Sequence, residues 1–372
     1  MKITLIGPVY PYRGGIAHFT TLLAKKLIEV GNDVQVISFK KQYPNILFPG
    51  KSDKDNSPGR EKVAASYLLK PLNPISWVRT VNVVTAFHPN QIIVPWWVTF
   101  WGPAFQQIIT RLKRKGFKTT ILIHNTIPHE AHFFDRFLAK QTLKTADSYI
   151  VMTKNEEFRL KSIISDKDKN INVIPHPIYN QFSPSQKSKT ELRSVLDLPE
   201  NKPIILFFGF VRPYKGLNDL IEAVNILYSR GKEIHLVIAG EFWGNREVYD
   251  NQIKTQKLEK IIHIHDHYIP DKEVAKFFQA ADLFVAPYRE GTQSGALKIA
   301  LGFGLPIVAT NIIIDPLIKD LGKQCKIVPP NDPEALSEAI LQQLQRSKLD
   351  NKTIKMQADQ SWNQMVNIIS NC

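Results

Sequence analysis

The sequence predicts an α/β protein built from two parallel-sheet domains, and three observations carry that prediction. The chain has 372 residues, whereas single hydrophobic cores usually stop growing near about 250–300 residues. Short apolar runs alternate with segments of helical period, the pattern of strand–crossover–strand units. The alternation restarts once, after a stretch at 173–189 that carries Pro175, Pro177 and Pro184 and reads as an interdomain linker.

Residues 3–6 form an apolar run stopped by Gly7 and Pro8, too short for a signal-peptide core and suited to a first strand. An amphipathic run at 16–30 predicts helix, and 34–39 a second strand. Further strands are expected at 91–95, 120–123 and 148–152, with intervals long enough for crossover helices; a parallel sheet is the economical arrangement. Residues 43–61 read as a loop with Ile46, Leu47 and Phe48 among turn residues, a segment that either handles a ligand or tucks those side chains into a satellite cluster. Past the linker, 203–208, 234–239 and 261–264 predict strands and 217–230 a helix. Helices at 333–346 and 350–370 close the pattern, the last with Met356, Trp362, Met365 and Ile369 as an apolar stripe.

Composition narrows the class. Apolar residues at 43% and charged residues at 22% exclude a disordered, collagen-like or coiled-coil chain. Cys325 and Cys372 are the two cysteines, which excludes a disulfide framework and a cysteine zinc site and fits a reducing, cytoplasmic setting. The apolar stretch 92–109 is interrupted by Pro95, Gly102, Pro103, Gln106 and Gln107, so no spanning helix is expected there. The net charge of +14 is concentrated: residues 1–176 carry +13 and residues 177–372 carry +1. Such a field favours anionic partners. Trp96, Trp97, Phe100 and Trp101, followed by the basic run 111–115, suit either a membrane headgroup interface or a packed core. Peripheral attachment to the inner face of a cell membrane is therefore one option. Zinc-finger spacing, an RNP-like strand and a recognition-helix signature are all missing, so nucleic acid ranks low as a partner.

The candidate chemistry lies where strands end. Gly14 and Gly15 join the first strand to the first helix, where glycines let a backbone approach a ligand, but the dinucleotide fingerprint is absent. Gly209, Arg212, Lys215 and Gly216 follow the first strand of the second half; guanidinium and ammonium groups there suit a diphosphate. Further on, Glu290 stands at a strand end and a helix begins near Ser294, whose open N–H groups favour an anion. His124 closes a strand of the first half. His263, His265 and His267 alternate as metal ligands can, yet a strand sends Ile264 and Asp266 to the other face and no fourth ligand is nearby; the reading is structural. The aspartate pairs at 53/55 and 166/168 read as solvated turns.

These segments, with Gly240 and Glu241 after a strand and the run from Glu290 to Thr310, resemble the family-4 retaining glycosyltransferases (glycosyltransferase group 1) of the GT-B fold, over nearly the whole chain. The resemblance implies two Rossmann-like domains facing across a cleft: residues 1–176 on the acceptor side, 177–355 holding a nucleotide-sugar donor, and a C-terminal helix at 356–372 packing back on the first domain. It implies transfer of a hexosyl unit from a UDP- or GDP-sugar to an acceptor hydroxyl with retention of configuration and no essential metal, in glycan, polysaccharide or glycolipid synthesis. Glu290 matches the first glutamate of the paired-glutamate motif, which holds the donor sugar; Ser294 and Gly295 match positions that cradle the diphosphate. Arg212 and Lys215 resemble the pair that neutralises it, although the family arginine directly follows the glycine, Gly209, where this chain has Phe210. Tyr268 and Ile269 match the backbone lying against the base, and Gly14, Gly15 and Glu241 complete the donor set. His124 resembles the histidine facing the donor sugar, with His129 and Glu130 bordering the acceptor pocket. The second motif glutamate is here Lys298, which either reaches a phosphate or is a solvated helix residue. A nucleotide-sugar epimerase and an inactive sugar-nucleotide-binding protein are the alternatives.

Overall fold

The computed structural model describes residues 1–43, 52–55, 62–128, 134–164, 169–182, 184–313, 317 and 322–371. His129, Glu130, Ile46, Leu47, Phe48, Asp166, Asp168 and Cys372 lie outside them. The chain divides into two compact units, Met1–Pro175 with Trp362–Cys372, and His176–Ser361.

In the first unit, β1 (Lys2–Ile6), α1 (Gly15–Glu29), β2 (Asp33–Phe39), β3 (Ser66–Leu69), α2 (Pro74–Phe87) and β4 (Gln91–Trp96) are followed by α3 (Gly102–Arg114), β5 (Thr119–Ile123), α4 (Asp135–Leu143), β6 (Ser148–Val151), α5 (Lys154–Ile164) and β7 (Asn170–Val173). The strands form one parallel sheet in the order β3-β2-β1-β4-β5-β6-β7. Its central strands β4 and β5 are buried along their whole length and mostly apolar because both faces are covered.

The second unit runs α6 (Lys189–Val195), β8 (Ile204–Phe208), α7 (Leu217–Ser229), β9 (His235–Ala239), α8 (Glu247–Thr255), β10 (Ile262–His265), α9 (Asp271–Ala280), β11 (Leu283–Ala286), α10 (Gly295–Gly302), β12 (Ile307–Thr310), β13 (Cys325–Val328) and α11 (Pro333–Leu344). Its parallel sheet has the order β10-β9-β8-β11-β12-β13. The last helix, α12 (Asn351–Asn371), is shared between the units at Trp362. Both sheets reverse strand order once, at β1/β4 and at β8/β11, and open α/β sheets bind ligands beyond the strand ends at such a switch point.

Several expectations need correction. Trp96 and Trp101 are core residues, 1% and 0% exposed, with Trp101 packed on Phe39 and Phe105; the headgroup option fails for them. Met356 is exposed and off the apolar stripe, which instead includes Ile354 and Ala358 with Trp362, Met365 and Ile369. Asp55 is buried and not a solvated turn: its N–H donates to Pro11 O at 2.7 Å, and Lys54 bridges Tyr12. Strands β3, β7 and β13, all at sheet edges, were not expected from the sequence. Among the described residues no helix is long and apolar enough to cross a membrane.

Candidate active site

The two strands flanking the switch point of the second sheet deliver the two segments that matter. After β8 the backbone reaches Gly209, whose N–H donates to Ala239 O at 2.9 Å. Gly209 has φ +99°, and a Cβ there would stand 3.3 Å from Lys215 Nζ, so the ammonium lies folded back over the Gly209 backbone. Gly240, after β9, has φ +150°, and a Cβ would stand 2.1 Å from Gly209 O. Only glycine permits that crossing.

A single 3₁₀ turn, Pro213–Lys215, then leads into α7 through Gly216 at φ +70°. A Cβ on Gly216 would lie 2.0 Å from Pro287 O, which brings the segment after β11 against the segment after β8. Tyr214 O accepts from Arg289 N at 2.8 Å and Glu290 N at 3.3 Å. The Arg289 guanidinium forks onto Asp219 with contacts of 2.8 and 2.6 Å. These bonds fix Glu290, whose exposed carboxylate has no hydrogen-bond or ion-pair partner among the described residues.

Lys215 is 9% exposed, its ammonium 5.6 Å from the Tyr288 ring centroid, and it has no carboxylate partner among the described residues. Burial holds its pKa below the usual lysine value; the Tyr214 phenol acts against that shift and the Arg212 guanidinium adds to it. A buried cation without a counter-ion is costly unless an anion arrives. Arg212 is half-buried over the rings of Tyr214 (5.6 Å) and Trp243 (5.4 Å). Phe210 stacks on Trp243 at 4.2 Å and faces Tyr268 at 6.3 Å, so the residue standing where an arginine was expected heads an aromatic ledge.

Ser294 caps α10: its Oγ accepts from Leu297 N at 3.2 Å and lies 3.1 Å from the Tyr288 hydroxyl, whose pKa burial pushes up to about 12. Gly295 meets the Tyr179 ring at ordinary contact, 3.6 Å from a Cβ. Lys298 is 0% exposed, so the reading as a solvated helix residue falls. His176, in the linker, has its pKa pushed down to about 3, chiefly by burial and then by the Lys298 charge, against two backbone hydrogen bonds. Glu241 and Ile269 are buried and Tyr268 is half-buried.

The structure thus gathers Gly209, Arg212, Lys215, Glu290 and Ser294 in one unit. Gly14, Gly15 and His124 belong to the other. There Gly14, at φ +99°, is the N-cap of α1, and His124, 2% exposed after β5, meets Phe19 edge-on at 4.9 Å. Of the three alternating histidines, His263 lies 3.0 Å from His235 and His265 packs on Phe277. No group of three His, Cys, Asp or Glu side chains is placed to hold a metal among the described residues. Sequence reasoning missed Asp219, Trp243, Tyr288 and Arg289; Trp243, three residues past Gly240 at a strand end, carried the one local signal.

Residues 202–346, the stretch that contains this whole arrangement except the linker, match the family Glycosyl transferases group 1. Curated relatives match part of the chain. The putative teichuronic acid biosynthesis glycosyltransferase TuaC of Bacillus subtilis (strain 168) is 28% identical over 163 residues, covering 43% of this chain and 38% of that protein. A D-inositol 3-phosphate glycosyltransferase of Corynebacterium glutamicum (strain R) is 26% identical over 213 residues, 55% of this chain and 50% of that protein. The lipopolysaccharide core biosynthesis mannosyltransferase LpsB of Rhizobium meliloti (strain 1021) is 29% identical over 147 residues, 38% of this chain and 40% of that protein. The chain thus spans half or less of the length of these relatives. Among solved structures, Anabaena Alr3699/HepE in complex with UDP-glucose has TM-score 0.73 at 13% identity, with 100% of both chains covered. WaaG, a glycosyltransferase involved in lipopolysaccharide biosynthesis, has TM-score 0.66 at 14% identity, again with 100% of both chains covered. At these identities the likeness concerns the fold, the pair of Rossmann-like parallel-sheet units of GT-B proteins.

Proposed function

We propose that the protein is a family-4 retaining glycosyltransferase that moves a hexosyl unit from a nucleotide-diphosphate sugar to an acceptor hydroxyl in polysaccharide or glycolipid synthesis. The observation that carries this reading is Lys215, a buried ammonium with no counter-ion among the described residues, beyond the strand ends of the stretch that matches the group 1 family. The hard step of sugar transfer is separating a diphosphate from an oxocarbenium-like sugar. Positive groups fixed before the reaction stabilise the charge that grows on the leaving oxygen, and removing one such donor typically costs about 2.7–4 kcal/mol. Lys215, Arg212 and the start of α10 at Ser294 and Gly295 fill that role; Glu290, held by the Tyr214 carbonyl, orients the sugar. The leaving phosphate oxygen takes the acceptor proton on the same face, so no protein nucleophile is required. His124, Gly14 and Gly15 are tied to the donor by the resemblance alone, as are Glu241, Tyr268 and Ile269.

The relatives' named roles in teichuronic acid and lipopolysaccharide synthesis support an envelope glycan as product. UDP, the nucleotide of the HepE complex, is the first donor moiety to test, ahead of GDP. The net +13 on residues 1–176 favours an anionic acceptor, or a lipid phosphate reached from an anionic membrane surface. Lys215→Ala and Glu290→Ala are expected to lose transfer while staying folded, and near-normal turnover by both would remove this site from consideration. Donor-only product analysis separates transfer from epimerisation. Lys298, sunk in the core where the family places a ribose-binding glutamate, favours a second reading, nucleotide-sugar binding without turnover. Tight UDP binding with neither transfer nor hydrolysis would select it.

A further inference from the structure

A cavity of about 520 Å³ opens at the other edge of the second sheet, where its strands begin. Asp282, on its wall, immediately precedes β11 and accepts the Ile204 N–H at the start of β8 (2.7 Å). Lys215, Glu290 and Ser294, by contrast, follow strand ends. The helix α10 connects the two places: Ser294 caps its start, and Gly302 at its end lines the cavity. At a rise of about 1.5 Å per residue the two ends are roughly 12 Å apart. A small ligand in the cavity therefore leaves the donor segment free.

The wall carries more positive charge than its acid can balance. Lys189, Arg346 and Lys348 line the cavity against, among the described residues, the single carboxylate of Asp282. That carboxylate is already engaged by Lys189 and, at 2.6 Å, by the buried Arg193. Arg346 has no side-chain partner among the described residues and is exposed. Lys348 is exposed, and its ammonium donates at 3.4 Å to Phe278 O and to Gln279 O, carbonyls of the last turn of α9. A helix end offers only about half a negative charge. Shielding from water pulls the Lys348 pKa down to about 8; Lys189 and Arg193 push the same way, and Asp282 opposes them. Phe303, stacked on Phe278 at 5.5 Å, gives the cavity an apolar wall, and Asn351 and Ser347 give it polar ones.

We propose that this cavity binds a small organic phosphomonoester, with the phosphate on Arg346 and Lys348 and the organic part against Phe303. The volume exceeds what a bare phosphate needs and falls within the range of about 300–1,000 Å³ usual for small-molecule sites. A guanidinium and an ammonium together suit a phosphate dianion, the first as a fork and the second as a point charge.

The test is calorimetric titration of the full chain with glucose 6-phosphate, in the presence of saturating UDP. Saturable binding is expected for the wild type and for Lys215→Ala, with at least a tenfold loss of affinity in Arg346→Gln and in Lys348→Gln. Arg346 is exposed, so that variant tests the site without threatening the fold. The proposal is overturned if the wild type shows no saturable binding, or if Arg346→Gln binds as the wild type does. It is equally overturned if UDP or Lys215→Ala abolishes the binding, because the probe would then occupy the donor segment.

Discussion

Gly216→Ala puts the packing of the two site segments to a quantitative test. Two costs arise. An alanine at φ +70° occupies the left-handed region, at roughly 1–2 kcal/mol. Its Cβ would also lie 2.0 Å from Pro287 O, so the segments must part by more than about 1 Å to reach ordinary contact. That movement stretches the bonds from Arg289 N and Glu290 N to Tyr214 O, now 2.8 and 3.3 Å, each contributing about 0.5–1.5 kcal/mol. The total is about 2–5 kcal/mol, or a fall in Tm of about 4–20 °C for a unit of this size. Gly231→Ala is the control: it has φ +74° in the same unit, yet nothing lies within 4 Å of its Cβ. It should bear the left-handed cost alone, about 1–2 kcal/mol. Thermal unfolding followed by circular dichroism, with and without UDP, reads both variants. Equal Tm losses would refute the reasoning, since Pro287 would then yield freely and the segments would not be held together.

Three other outcomes follow from the same geometry. Lys215→Met should raise the Tm of the unliganded protein, because an uncompensated buried ammonium disappears, while the Tm gain on adding UDP falls away; an unchanged UDP shift would contradict the role given to Lys215. His176 is neutral in the folded chain down to about pH 3, whereas the unfolded chain takes up its proton near 6.5. Stability should therefore fall as pH drops through that window, by up to about 1.4 kcal/mol per pH unit for one proton; His176→Gln should flatten this slope in urea titrations at pH 6.5, 5.5 and 4.5, and an identical slope would count against it. Phe210→Ala removes the stack on Trp243, about 0.5–1.5 kcal/mol, and frees the surface beneath Arg212; UDP affinity should drop with it, which fluorescence quenching of Trp243 would follow.

What the sequence reveals depends on how each element is solvated. Strands β1, β4, β5, β8 and β9 are legible because sheet interiors covered on both faces demand unbroken apolar runs. The edge strands β3, β7 and β13 are not, because an edge accommodates Ser66, Asn170, Asn172 and Lys326 without burying them. At the site, glycines and cations could be found by their place after a strand, and Ser294 by its place before a helix. Lys298 could not: a lysine in a helix looks solvated unless the facing segment, here the linker at His176 and Tyr179, is known. Nor could the aromatic ledge, since Phe210, Trp243 and Tyr268 follow β8, β9 and β10 and meet only because those strands are neighbours in the sheet.

The two departures from the family pattern bear differently on the proposed chemistry. Phe210 displaces an arginine, but a guanidinium returns two residues later as Arg212, in the same loop and over the indole on which Phe210 stacks. On the proposed reading the positive charge has moved without being lost, and the diphosphate half of the site keeps two cations. Lys298 puts a cation where the resemblance expects a carboxylate and is 0% exposed, so on the proposed reading the ribose contact of that glutamate is lost. Donor recognition should consequently rest on the diphosphate through Lys215 and Arg212 and on the aromatic ledge, with little carried by ribose hydroxyls. That division of roles follows from where the side chains lie: among the described residues Lys215 has no carboxylate partner and suits an anion, whereas Lys298 is 0% exposed beside His176.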